Sequence, residues 1–233
     1  MRRSVKKLQG HIVCARDGDI GKVSNLYFDD RAWTIRYLVV DTGGWLSGRR
    51  VLISPVAVRE ADWAAEKLPV ALTKGQVEHS PSIYADMPVS RQREIELARY
   101  YQWPYYWAGA NLWAGGMYPG ATAVPVVPPK DPAASDDEQG DPHLRSAKEV
   151  MGYRIVAQDG EVGHVDDFLF DDQTWTIQDL VVSIGGWLSS RRVVVPCRAI
   201  ERVSWDERAV QVSLSQDAVQ RSPDYDPSLQ DHT

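Results

Sequence analysis

Apolar positions in "GDIGKVSNLYFDD" (residues 18–30) fall at Ile20, Val23, Leu26 and Phe28. The spacing is that of a half-buried strand with one slip, which predicts a bulge near Gly21. "WTIRYLVVD" (33–41) is dense in β-branched and aromatic residues and predicts a second strand. Shorter strands are predicted in "RRVLISP" (49–55), "AVREAD" (57–62) and "KLPVAL" (67–72). "RDGD" (16–19) is an Asp-Gly turn between the first two strands, and "DDRA" (29–32) is a polar turn before Trp33. "TKGQVEHSP" (73–81) predicts one short helical turn ended by proline.

The same pattern returns 142 positions downstream, where residues 10–81 align with 152–223 without a gap. Roughly 30 of roughly 72 positions are identical, far beyond chance for a chain against itself. Matches include Gly10/Gly152, Asp17/Asp159, Gly21/Gly163, Phe28/Phe170, Trp33/Trp175, Trp63/Trp205 and Ser80-Pro81/Ser222-Pro223. "GGWLSGRR" (43–50) recurs as "GGWLSSRR" (185–192). Two copies of about 75 residues are a duplicated domain, not a solenoid. Five or six strands in that length predict a small antiparallel barrel, because closure removes exposed edges.

The order DG-x-x-G-x-V, F-D-D-x-x-W, L-V-V-D-x-G-G-W-L, R-R-V-L-I-S-P and L-T-K-G-Q-V-x-x-S-P resembles the PRC-barrel domain, shared by the photosynthetic reaction centre H subunit and the ribosome maturation factor RimM. The resemblance covers both copies and implies a small β-barrel that binds protein partners or supports a cofactor site built by other subunits. The chain departs from both relatives. It has no N-terminal membrane helix, and a second barrel stands where the maturation factor has a different domain. It looks more like a bacterial tandem PRC-barrel protein.

The expected fold is mainly β: two small antiparallel PRC-type barrels joined by a short helix and an aromatic, Pro-rich linker. The expected divisions are 1–81, first barrel; 82–120, helix and aromatic segment; 121–146, flexible Pro-rich acidic linker; 147–223, second barrel; and 224–233, tail. In the unduplicated part, "PVSRQREIELARYYQW" (88–103) predicts a helix with Ser90 as N-cap, Glu94 in the first turn, and Ile95, Leu97, Ala98 and Tyr101 on its apolar side. From Tyr100 to Pro129 there is no Asp, Glu, Lys or Arg. Trp103, Tyr105, Tyr106, Trp107 and Trp113 lie in this stretch. Such residues bury large areas yet carry polar tips, the chemistry of interfaces. Two other uses compete: wrapping a barrel groove, or lying on a lipid surface. The stretch lacks the basic face of an interfacial helix, which weighs against lipid.

Charge separates the copies. Residues 1–80 hold 13 Lys or Arg and 9 Asp or Glu, whereas residues 147–233 hold 8 and 15. Opposite charge predicts either barrel packing or self-association, against a plain drift of solvated surfaces. The net charge of -6 argues against nucleic acid, whose phosphates need a basic face. No run of about 20 apolar residues predicts a membrane span, and the basic N-terminus lacks the apolar core of a signal peptide. Two cysteines, Cys14 and Cys197, cannot build a disulfide framework, and a cytoplasmic location is expected.

Catalytic chemistry is not expected. The five histidines share no position between copies, and none has metal-ligand spacing to another His or a Cys. No nucleophile elbow, phosphate loop or dinucleotide fingerprint occurs. "DDFLFDD" (166–172) gathers four aspartates without the spacing of a calcium loop and is read as a charged turn. Neither a cofactor nor a metal is expected. The glycine-rich "GGWLS" segments precede strands rather than a helix N-terminus, so they are turns and not phosphate cradles. Trp45, Arg49, Arg50, Trp187, Arg191 and Arg192 are then loop residues that either cap their own barrel or meet a partner. The leading expectation is a non-catalytic scaffold or adaptor that binds a protein partner or itself. The alternative, which rests on the family resemblance, is an accessory to photosynthetic or quinone electron transfer.

Overall fold

The structure, a computed structural model, describes residues 1–81, 89–108, 111–120, 144–185 and 191–230. Its strands in the first half are β1 (Arg2–Ser4), β2 (Ile12–Ala15), β3 (Gly18–Asp29), β4 (Thr34–Asp41), β5 (Arg50–Ile53) and β6 (Lys67–Pro69). Then come β7 (Leu144–Ser146), β8 (Arg154–Ala157), β9 (Gly160–Asp171), β10 (Ile177–Ile184), β11 (Arg191–Pro196), β12 (Ile200–Ser204) and β13 (Ala209–Val212). The helices are α1 (Val5–Leu8), α2 (Lys74–Glu78), α3 (Arg91–Tyr101), α4 (Ala147–Val150) and α5 (Gln216–Gln220). The linker expected at 121–146 lies outside the described residues up to position 143.

Each copy builds its own sheet. The first has the order β5-β4-β3-β2-β6, with β7 also on β3. The second has the order β11-β10-β9-β8-β13-β12, with β1 also on β9. One expectation, that the strands are all antiparallel, needs correction. Among the described residues neither hydrogen-bonded path closes on itself, and each sheet contains one parallel pair, β2 with β6 and β8 with β13. The outer edge of β11 is covered by the tail, with Val194 N donating to Pro223 O and Tyr225 N to Arg192 O.

One compact unit is Leu8–Arg145 with Gln173–Trp175, and the other is Met1–Lys7, Ser146–Asp172 and Thr176–Thr233. The first strand of each copy is therefore in the other copy's sheet. A strand follows its edge and not its place in the sequence. On the edge of β9 opposite β10, β8 pairs with Gly160–His164, and β1 takes up residues 169–171.

The bulge expected near Gly21 is present. Val13 pairs with Gly21 and Cys14 with Asp19, leaving Ile20 as the extra residue, and Val162 repeats this in the second copy. A second bulge leaves Arg36 between the pairs Tyr27–Tyr37 and Phe28–Ile35, and Gln178 is its counterpart. Inner residues such as Phe28, Leu38 and Ile53 in one unit, and Phe168, Leu180 and Val195 in the other, are fully buried. The turn aspartates have a further use: Asp17 accepts from Lys74 N at 2.8 Å and Asp159 from Gln216 N at 2.7 Å, which caps α2 and α5.

Candidate functional site

The first unit differs from the second in having its other sheet face covered. Seven of the eight residues of β4 are buried, because Tyr37 and Val39 point away from the inner core into a second cluster. Tyr27, Tyr37, Val39, Leu52, Val89, Leu97 and Leu144 form it, with Tyr101, Trp103 and Tyr106 packed against them. The 94/97/98/101 stripe of α3 supplies the cover, as helical spacing dictates. Glu94 stands in the first turn of α3, as expected, and is fully buried beside Leu97 and Ala98.

Glu94 is answered by its neighbours. Its Oε1 accepts from the Tyr106 hydroxyl at 2.8 Å, and its Oε2 lies 2.9 Å from the Arg91 guanidinium as an ion pair. Arg36, 3 % exposed, pairs with Asp29 at 3.1 Å and donates to the Leu112 carbonyl. Its guanidinium lies 3.9 Å from the centre of the Tyr106 ring and 5.2 Å from that of Trp113. Arg91 lies 4.0 Å over Trp107. Trp107, Arg91, Tyr106, Arg36 and Trp113 thus alternate rings with cations, an arrangement favoured by the ring quadrupole. Burial and the Glu94 charge push the Tyr37 and Tyr106 phenols well up, and burial takes Tyr101 to about 12. These phenols stay protonated, and that of Tyr106 donates to Glu94.

The five aromatic residues singled out in the sequence are brought together on this unit. Trp113 is buried, and its indole N–H donates to Thr174 O at 2.9 Å. Tyr105 is buried, while Trp103, Tyr106 and Trp107 are half-buried. Tyr101 and Trp103 stack at 4.3 Å. Tyr100, Met117 and Tyr118 of the same insert are exposed. Sequence reading missed Arg36 and Arg91, and gave Glu94 only as a helix first-turn residue. The available signal was the difference between copies, since Arg36 and Tyr37 stand where the other copy has Gln178 and Asp179.

The loop residues take structural positions. The Trp45 indole N–H donates to Ile20 O, and the Lys74 ammonium stands 4.5 Å over its ring. Trp45 therefore folds back on its own unit, whereas Trp187 lies outside the described residues. Arg49 donates to Glu78 O at 3.0 Å and to Ser80 O, while Arg191 donates to Gln220 O at 2.6 Å and pairs with Asp224. Both guanidiniums hold the last carbonyls of the closing helix, where a cation is favoured. Arg50 is exposed at the start of β5, and Arg192 pairs with Asp166 at 3.3 Å. Arg49→Ala and Arg191→Ala are each expected to cost about 0.5–2 kcal/mol. Urea unfolding of each variant checks this, and an unchanged midpoint in both would remove the anchoring role.

The aspartates of "DDFLFDD" are not a charged turn. Asp166, Asp167 and Asp171 lie on β9, Asp172 follows it in the turn, and together they receive β1. Asp167, 2 % exposed, accepts from the Ser4 hydroxyl and from Lys6 N at 3.0 Å. Lys6 pairs with Asp166 at 2.6 Å, Arg3 with Asp172 at 3.0 Å and Arg2 with Asp179 at 3.3 Å. Burial pushes the Asp167 and Asp179 carboxyls up. Among the described residues no group of three or more His, Cys, Asp or Glu is placed to hold a metal ion. Burial also raises the Cys14 and Cys197 thiols, with the Asp179 charge adding at Cys197, the reverse of nucleophile activation. No helix of the described residues is long and apolar enough to cross a membrane.

The comparison with known proteins agrees with the duplication. The PRC-barrel domain matches residues 3–76 and again 142–219. No curated protein matches the chain. Both matched segments coincide with the copies that carry the DG turn, the bulge glycine, the GGW loop and the closing helix. With more than half its length matched in two successive segments, this chain belongs to the PRC-barrel family as a tandem member.

Proposed function

We propose that the protein is a non-catalytic interaction scaffold whose partner surface is the outer side of the aromatic insert on the first unit. One observation carries the reading: apart from Met1, the exposed large hydrophobic residues among those described, Tyr100, Met117 and Tyr118, all belong to this insert. The inner rings of the insert are fixed by the Arg36–Tyr106–Glu94 cluster, so the outer ones are held on a rigid base. Rigid, exposed aromatic residues lose little entropy on binding, which suits them to anchor a protein partner. Trp103 and Trp107 border this surface with half-buried rings.

The test is a cross-linked pull-down from the native host with the wild type and a Tyr100→Ser/Met117→Ser/Tyr118→Ser variant. The variant is expected to lose at least about tenfold of its captured partner, equivalent to about 1.4 kcal/mol, at an unchanged unfolding midpoint. Equal capture by both proteins overturns this surface. A visible absorbance band in the purified protein would instead favour the electron-transfer accessory implied by the family resemblance.

A further inference from the structure

The two copies present the same strand edge to two different strands, and the differences between them are matched. By the 142-residue offset, β1 corresponds to β7, Arg2 to Leu144 and Arg3 to Arg145. One contact is common to both edges: Arg3 pairs with Asp172 at 3.0 Å, and Arg145 pairs with the equivalent Asp30 at 2.7 Å. It cannot tell the edges apart. The position beside it can. Arg2 faces Asp179 at 3.3 Å, whereas Leu144 is buried in the apolar cluster with Tyr37, the counterpart of Asp179. Lys6 pairs with Asp166 where the first copy has Ser24, but its counterpart in the other strand is also a lysine, Lys148, so this contact adds strength and not discrimination.

Interchanging the strands would place Arg2 in the Tyr37 cluster and Leu144 against Asp179. Either contact leaves a charge without its partner, which is strongly disfavoured. The basic character of residues 1–7 and the acidic character of the second copy are thus a matched pair and not surface drift.

We propose that this match is an address readable between molecules: the β9 edge is a docking site for a short basic strand, and a second copy of this chain fills it by exchanging Met1–Lys7. Three features support exchange. The docked strand is only three residues long. The ion pairs that hold it are partly exposed, with the Arg2 and Lys6 side chains 58 % and 47 % exposed, so salt weakens them. The connection to β2 is short and contains Gly10 at φ +93, a hinge position that glycine accepts readily. In an exchanged dimer every contact of the closed chain is made again, so its formation is governed by concentration and hinge geometry. This inference rests on the β1–β9 edge and is independent of the aromatic surface.

The experiment uses three full-length variants. The first reverses the strand (Arg2→Glu), the second reverses the edge (Asp179→Lys), and the third carries both changes. The third is expected to unfold at the wild-type midpoint and to be as monomeric as the wild type in dilute solution. The first two, co-refolded at equal concentration in low salt, are expected to give a one-to-one heterodimer by native mass spectrometry. It should exceed either homodimer at least tenfold and diminish in 0.5 M salt. Two separate species after mixing, with the third variant folded, overturn exchange between molecules. Failure of the third variant to regain the wild-type midpoint overturns the address itself.

Discussion

Glu94→Ala will lower the stability of the first unit by about 3–5 kcal/mol, the scale for removing one member of a buried charge pair. The Glu94 side chain is wholly shielded from solvent and serves the Tyr106 hydroxyl and Arg91 together. Its loss strips Tyr106 of an acceptor in a site where the ring also carries the Arg36 guanidinium at 3.9 Å. Glu94→Gln keeps an oxygen for Tyr106 and loses the charge, so about 1–2 kcal/mol is expected. Urea unfolding followed by tryptophan fluorescence separates the two, with Trp103 and Trp107 reporting from the insert. Equal midpoints for wild type and Glu94→Ala would mean that the cluster does not hold the insert in place.

Alkali acts on the same cluster with a definite sign. The Tyr37 and Tyr106 phenols have folded-state pKa values well above 10. The folded state therefore keeps protons that the unfolded chain releases, and stability is complete below pH 10 and falls as pH rises above it.

Gly163→Ala is the second large effect. A Cβ at Gly163 would stand 2.2 Å from the Ser183 carbonyl oxygen, and at Gly21 it would stand 2.0 Å from that of Asp41. Both oxygens belong to the backbone of the neighbouring strand, so no side-chain rotation relieves the contact. About 3 kcal/mol or more is expected at either site, at or above the upper range for overpacking. Each variant should lower the midpoint of its own unit. Gly44→Ala is the control: its Cβ would meet nothing within 4 Å and its φ is not positive, so a change within about 0.5 kcal/mol is expected. A Gly163→Ala protein as stable as Gly44→Ala would show that the strands separate at the bulge at little cost.

The sequence by itself determined the duplication, the strand pattern, the bulge at Gly21 and Gly163, and the closing helices, because each is set by local spacing or by one residue's backbone freedom. It also picked out the aromatic insert from a 30-residue stretch without charge. The cations and carboxylate that hold the insert were not legible there. Arg36 is aimed by a bulge, and Glu94 sits on a helical stripe whose direction is set by what it packs against. Only the tertiary structure decided that each copy's first strand belongs to the other sheet. Strand pairing joins residues about 170 positions apart, such as Arg2 with Asp171. Choosing between two nearly identical edges depends on whether Arg2 meets Asp179 or Tyr37, a difference of desolvation that appears only once both edges are built.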